Sequence, residues 1–76
     1  MKMKYDLNEY NYLSDVSNIT LKILQRSELT GELFEDTLSW ILFHRDDLYQ
    51  ELIYCADKYK RSVDDIIDIM LIIYKW

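Results

Sequence analysis

The stretch Arg45 to Lys75, RDDLYQELIYCADKYKRSVDDIIDIMLIIYK, decides the fold. Asp46 and Asp47 suit the first turn of a helix, where the helix dipole favours negative charge. Leu48, Leu52, Cys55/Ala56 and Tyr59 then recur at spacings of three and four, with Tyr49 and Ile53 beside them. Lys58, Lys60 and Arg61 suit the last turn. Ser62 is a good N-cap, and Asp65 three residues on gives an acidic variant of the capping box. The spacing therefore predicts a helical hairpin, about 46–60 and about 63–75, in a mainly α domain.

The second of these helices carries further information. Ile66, Ile67, Ile69, Met70, Leu71, Ile72, Ile73 and Tyr74 leave only Asp65, Asp68 and Lys75 as a polar stripe. A helix apolar almost all round is buried on several sides. Each buried Ile or Leu stabilises by roughly 1.5–3 kcal/mol, so a wet apolar face is costly. Two solutions exist. Residues 1–44 fold over the helix in a monomer, or the chain forms a homodimer about a twofold axis. The expectation is the homodimer, with Ile66, Ile69, Met70 and Ile73 as its self-association residues.

Periodicity weakens toward the N-terminus. Leu33, Phe34, Leu38, Ile41 and Leu42 fit a helical face, yet Leu38 to Phe43, LSWILF, also reads as a short strand. Thr30-Gly31 is the best breaker in the chain. Ile19, Leu21 and Ile23 alternate with Thr20 and Lys22, which is strand spacing, and a helix from Asn18 to Glu28 fits nearly as well. Ser14, Asp15, Ser17 and Asn18 read as a turn or a helix start. Residues 1–13, with Tyr5, Tyr10 and Tyr12, have no clean period and read as an arm, a short strand or a frayed helix.

Composition bounds the function. Seventy-six residues make one small domain, 1–76, near the lower limit for folding alone. Charges cancel over residues 1–31, whereas residues 32–76 carry five basic and ten acidic side chains, so the net charge of −5 lies wholly after Gly31. Such a surface repels nucleic acid on average and attracts basic partners. Cys55 stands alone, which excludes a disulfide framework, and it reads as a small buried apolar residue. The N-terminus lacks the apolar core of a signal peptide, and the uncharged run Ile69 to Tyr74 is far short of the roughly 20 residues that span a bilayer. A cytoplasmic protein with no membrane contact is the expectation.

Arg45 to Tyr74 resembles the ribbon-helix-helix family of small dimeric regulators. The resemblance rests on Leu48, Leu52 and Ala56, on Lys60-Arg61-Ser62-Val63 at the turn, and on Ile66, Ile67, Leu71 and Tyr74 beyond it. It implies a strand before the first helix, over Ser39 to His44, that pairs with its twin and reads bases in the major groove. It also implies a second helix interlocked with the partner's. At the DNA-facing strand positions this chain has Ser39, Ile41 and Phe43, and Lys60 replaces the usual glycine of the turn. Ile and Phe make no bidentate base contacts.

Catalytic patterns are thin. Asp64, Asp65 and Asp68 spell DDxxD, which some enzymes use to hold magnesium diphosphates, but as a cap plus solvated stripe they need no such role. His44 with Asp46 and Asp47 fails the ligand count for zinc. No catalytic residue, metal or cofactor is expected, and an enzyme is not. The acidic groups Glu32/Glu35/Asp36, Asp46/Asp47/Glu51 and Asp64/Asp65/Asp68 hold nine of the ten acids after Gly31. Sharing one face, they would mimic nucleic-acid phosphate and fill a basic groove. The expected function is a non-enzymatic interaction protein, such as a phage- or plasmid-type inhibitor occupying a basic surface of a nucleic-acid-handling protein. Its partner-binding residues are Glu32, Glu35, Asp36, Trp40, Ile41, Phe43, Asp46, Asp47 and Glu51. The alternative is a dimeric ribbon-helix-helix repressor or antitoxin, and only then is nucleic acid a partner.

Overall fold

The computed structural model describes residues 7–75, and in them the chain forms four helices in sequence. They are α1 (Leu7–Thr30), α2 (Phe34–His44), α3 (Asp47–Tyr59) and α4 (Val63–Lys75). The sequence-based reading of residues 1–6 lies outside the described residues.

Three left-handed stops separate the helices. Gly31 takes φ 74°, and the Glu32 N–H donates back to the Ser27 carbonyl at 3.1 Å. Arg45 and Lys60 take the same conformation at φ 51° and 57°. After α3 the Lys60 N–H donates to Asp57 and the Arg61 N–H to Ala56, which closes the Schellman pair of bonds. Lys60 therefore occupies the position where glycine is favoured. The starts of α3 and α4 are capped as their residue types predict. The Asp46 carboxylate accepts the Leu48 N–H at 3.2 Å, and the Ser62 hydroxyl accepts the Asp65 N–H at 3.1 Å. The predicted hairpin is thus present, with its turn at 60–62.

α1 is the long element, 24 residues or about 36 Å at the helical rise. Its buried positions are Tyr12, Val16, Ile19, Thr20, Ile23 and Ser27, one helical stripe. α3 runs antiparallel along it. Arg26 pairs with Asp46, Lys22 with Glu51, Asp15 with Lys58, and Glu9 with Arg61 just beyond α3. The numbers fall on α1 as they rise on α3, which fixes direction and register together. α4 then returns beside α1, and at its C-terminal end the Tyr74 ring stacks on Phe34 of α2 at 4.3 Å.

The core lies between these elements: Tyr12, Val16, Ile19 and Ile23 from α1, Phe34, Leu38 and Ile41 from α2, Leu48, Leu52, Cys55 and Ala56 from α3, Ile66 and Met70 from α4. Burial raises the Cys55 thiol above its ordinary pKa, as befits a core residue and not a reactive thiolate.

One segment open between strand and helix is decided, and two expectations are corrected. Residues 18–24 are helical: Ile19 and Ile23, four apart, are buried, while Leu21 between them is 56% exposed. Residues 38–44 are helical too, so the strand of the ribbon-helix-helix resemblance is not formed. In LSWILF, Leu38 and Ile41 face the core three residues apart, and Trp40 and Phe43 face out. The polar cluster Ser14 to Asn18 neither turns nor starts a helix; it is interior to α1, and Asp15 accepts the Tyr59 hydroxyl at 2.6 Å.

The Lys60 stop generates a prediction. A non-glycine residue in the left-handed region costs about 1–2 kcal/mol, against roughly 0.5–1 kcal/mol for the unfolded-chain entropy of glycine. Lys60→Gly is expected to stabilise the fold by about 0.5–1 kcal/mol in urea unfolding, with an unchanged denaturant slope. A loss of stability would show that the Lys60 side chain contributes more than its backbone costs.

Candidate protein-interaction surface

The exposed side of α2 follows from its helical period. With Phe34, Thr37, Leu38 and Ile41 turned inward, Asp36, Trp40 and Phe43 fall along the opposite side, with Leu33 and His44 at its edge. Leu33 is 66% exposed, Trp40 46% and Phe43 82%. The three rings form one group. The His44 imidazole stacks on Trp40 at 4.3 Å and meets Phe43 edge-on at 5.1 Å. The His44 Nδ1–H donates to the Trp40 carbonyl at 3.0 Å, which holds the imidazole against the indole.

Beside Trp40 lies a cleft of about 450 Å³ between the end of α1, α2 and the start of α3. Arg26, Leu29, Thr30, Glu32, Thr37, Trp40 and Asp46 line it. Leu29 on its rim is 88% exposed. Thr37 is buried, and its hydroxyl has no hydrogen-bond partner among the described residues. Arg26 donates to Asp46 at 2.6 Å. That bond, and then the Leu48 N–H, hold the Asp46 carboxyl below its ordinary pKa.

The structure sorts the nine expected partner-binding residues into three groups. Trp40 and Phe43 are exposed, as a binding anchor requires. Ile41 is fully buried in the core and cannot touch a partner. Among the acids, Asp46 and Glu51 are engaged by Arg26 and Lys22 of α1. Glu32, Glu35, Asp36 and Asp47 are exposed and enter no ion pair among the described residues. The three acidic groups do not share one face. Asp64, Asp65 and Asp68 begin α4, beside the Arg61–Glu9 pair, whereas Asp46 sits beside Arg26. Seventeen residues of α1 separate those levels, about 25 Å.

The self-association residues divide similarly. Ile66 and Met70 are fully buried against the chain's own core, while Ile69 and Ile73 are half-buried. The folded chain therefore covers much of the helix that the sequence leaves apolar all round. Ile72, which continues the Asp65–Asp68 side, remains 57% exposed.

Sequence reasoning missed Leu29, Leu33 and Thr37. Leu33 belonged to the predicted apolar face, but that face is centred on Phe34 and Ile41, and Leu33 falls at its edge. No group of three His, Cys, Asp or Glu side chains among the described residues is placed to hold a metal.

Two measurements follow. Ile41→Ala is expected to cost about 2–5 kcal/mol of unfolding free energy by leaving a core cavity, whereas Phe43→Ala is expected to stay within about 0.5 kcal/mol. Equal effects would contradict the assigned faces. The lowered Asp46 pKa also has a definite sign. Its contribution is fully present above the ordinary Asp value of 3.8 and is lost as pH falls through the lower folded value. The stability gap between the parent and Asp46→Asn should therefore narrow below about pH 4. A gap constant from pH 7 to pH 2 would contradict the ionised cap.

Comparison with protein-family models, curated proteins and solved structures finds no match for this chain.

Proposed function

We propose that the chain is a non-enzymatic interaction protein that docks the exposed side of α2 onto a basic surface of another protein. One observation carries this reading: the solvent-facing group Leu33, Trp40 and Phe43 is flanked by carboxylates with no ion-pair partner among the described residues, Glu32, Glu35, Asp36 and Asp47. Aromatic anchors in desolvated pockets dominate interface energetics. Surrounding charge of one sign selects the partner and speeds encounter. An apolar centre with an acidic border fits a partner with an apolar pocket and a lysine- or arginine-rich border. A nucleic-acid-handling protein has such a surface, and occupying it would inhibit it. Direct DNA reading has lost its support, since Ser39, Ile41 and Phe43 lie on a helix and Ile41 is in the core.

Self-association belongs to the same proposal. Ile72, exposed beside the half-buried Ile69 and Ile73, gives α4 a narrow apolar contact for a second copy. Ile72→Asp places a carboxylate where the monomer is already solvated, so the fold should persist. Sedimentation is expected to show a dimer for the parent and a monomer for the variant. A parent that stays monomeric at high concentration defeats self-association.

Affinity capture from the native host, with the parent and Phe43→Asp compared, tests the main reading. The parent is expected to retain a protein with a basic surface, to release it as salt rises, and to lose it on Phe43→Asp. Duplex DNA is expected to bind no better than non-specific background at about 150 mM salt. Specific DNA binding tighter than roughly 10⁻⁷ M would overturn the proposal.

A further inference from the structure

We infer that the cleft between α1, α2 and the start of α3 receives an arginine side chain of the partner, with the guanidinium between the Trp40 indole and the Glu32 carboxylate. This inference rests on the preceding proposal of a basic protein partner and names the group that the site takes.

Its volume of about 450 Å³ lies within the range of pockets that bury a small ligand group. The charges on its walls are specific. Arg26 and Asp46 neutralise one another at 2.6 Å. Glu32 is then the one lining carboxylate with no cation beside it among the described residues, so the cleft favours a single positive charge. His44 stacks against the indole of Trp40, while Trp40 also forms a wall of the cleft. A planar guanidinium stacks on an indole and still directs its N–H groups outward in the ring plane. Leu29 provides apolar surface for the aliphatic stem, as long cationic side chains require.

The guanidinium requirement separates arginine from lysine. An ammonium is compact and strongly hydrated, and it cannot stack on the indole while pairing in the plane with a carboxylate. A partner whose basic surface is built of lysine would satisfy the acidic border but not this cleft.

The test uses the full chain and N-acetyl-arginine-N-methylamide as the probe, read by the Trp40 indole N–H resonance. The blocked arginine is expected to shift that resonance saturably, with blocked lysine at least about fivefold weaker. Glu32→Gln is expected to weaken binding about tenfold. Absence of a saturable shift, equal binding of lysine, or indifference to Glu32→Gln would overturn the assignment. The broader reading fails separately. A captured basic partner that is lost on Phe43→Asp but retained at full affinity by Glu32→Gln refutes the cleft alone.

Discussion

The fold depends on one stripe of α1. Tyr12, Val16, Ile19, Thr20, Ile23 and Ser27 form the one buried surface long enough for three short helices to share. Helices of 11 to 13 residues are marginal alone, so each is stable only through the apolar face it lays on that stripe or on its neighbour. The ion pairs that border the stripe are partly exposed, and such pairs contribute little energy. Their role is geometric. An antiparallel ladder of four oppositely charged contacts disfavours a slipped or reversed α3 more than it stabilises the correct one. Burying Thr20 and Ser27 is tolerable because each hydroxyl donates to an α1 carbonyl one turn back, Val16 and Leu24.

Among the described residues, polar imperfections concentrate at two places. Tyr12 is buried with its hydroxyl unpaired, its ring held edge-on to Tyr59 at 5.2 Å and under the Arg61 guanidinium at 4.7 Å. Burial raises its pKa, against the opposing pull of Arg61. That site is closed by α3 and α4 and fixes the corner between them. Thr37 is the other, and it lines an open cleft beside exposed aromatic groups. An unpaired buried hydroxyl carries a desolvation cost of about 1–3 kcal/mol wherever it lies.

The charge pattern acquires meaning through the same packing. As a count, the acids after Gly31 suggest one negative face. In the folded chain the bases of α1 engage Asp46 and Glu51, α4 carries three acids to the far end, and Glu32, Glu35, Asp36 and Asp47 remain near the aromatic group of α2. The result is a local acidic border around an apolar anchor. A surface of that kind selects a partner with matching chemistry at close range and retains less of the long-range, sequence-blind attraction of a phosphate mimic.

What the sequence determined by itself is the α3–α4 hairpin. Apolar residues at spacings of three and four, Asp46 and Ser62 at the starts and the basic last turn of α3 are local signals, and the caps form within two or three residues of their partners. The core position of Cys55 was legible in the same way. Tertiary structure decided the rest. Ile19-Leu21-Ile23 and LSWILF satisfy both periods, and only packing against α3 and α4 decides that residues four or three apart are buried together. It also decided which half of α2 is wet, and so turned Ile41 from a candidate contact into core while leaving Trp40 and Phe43 exposed. The apolarity of α4 was legible, but not what covers it, because the covering surface is the stripe of α1 some 40 to 50 residues earlier in the chain. Contacts at that separation leave no local period, since they are set by which faces remain to be buried once each helix has formed.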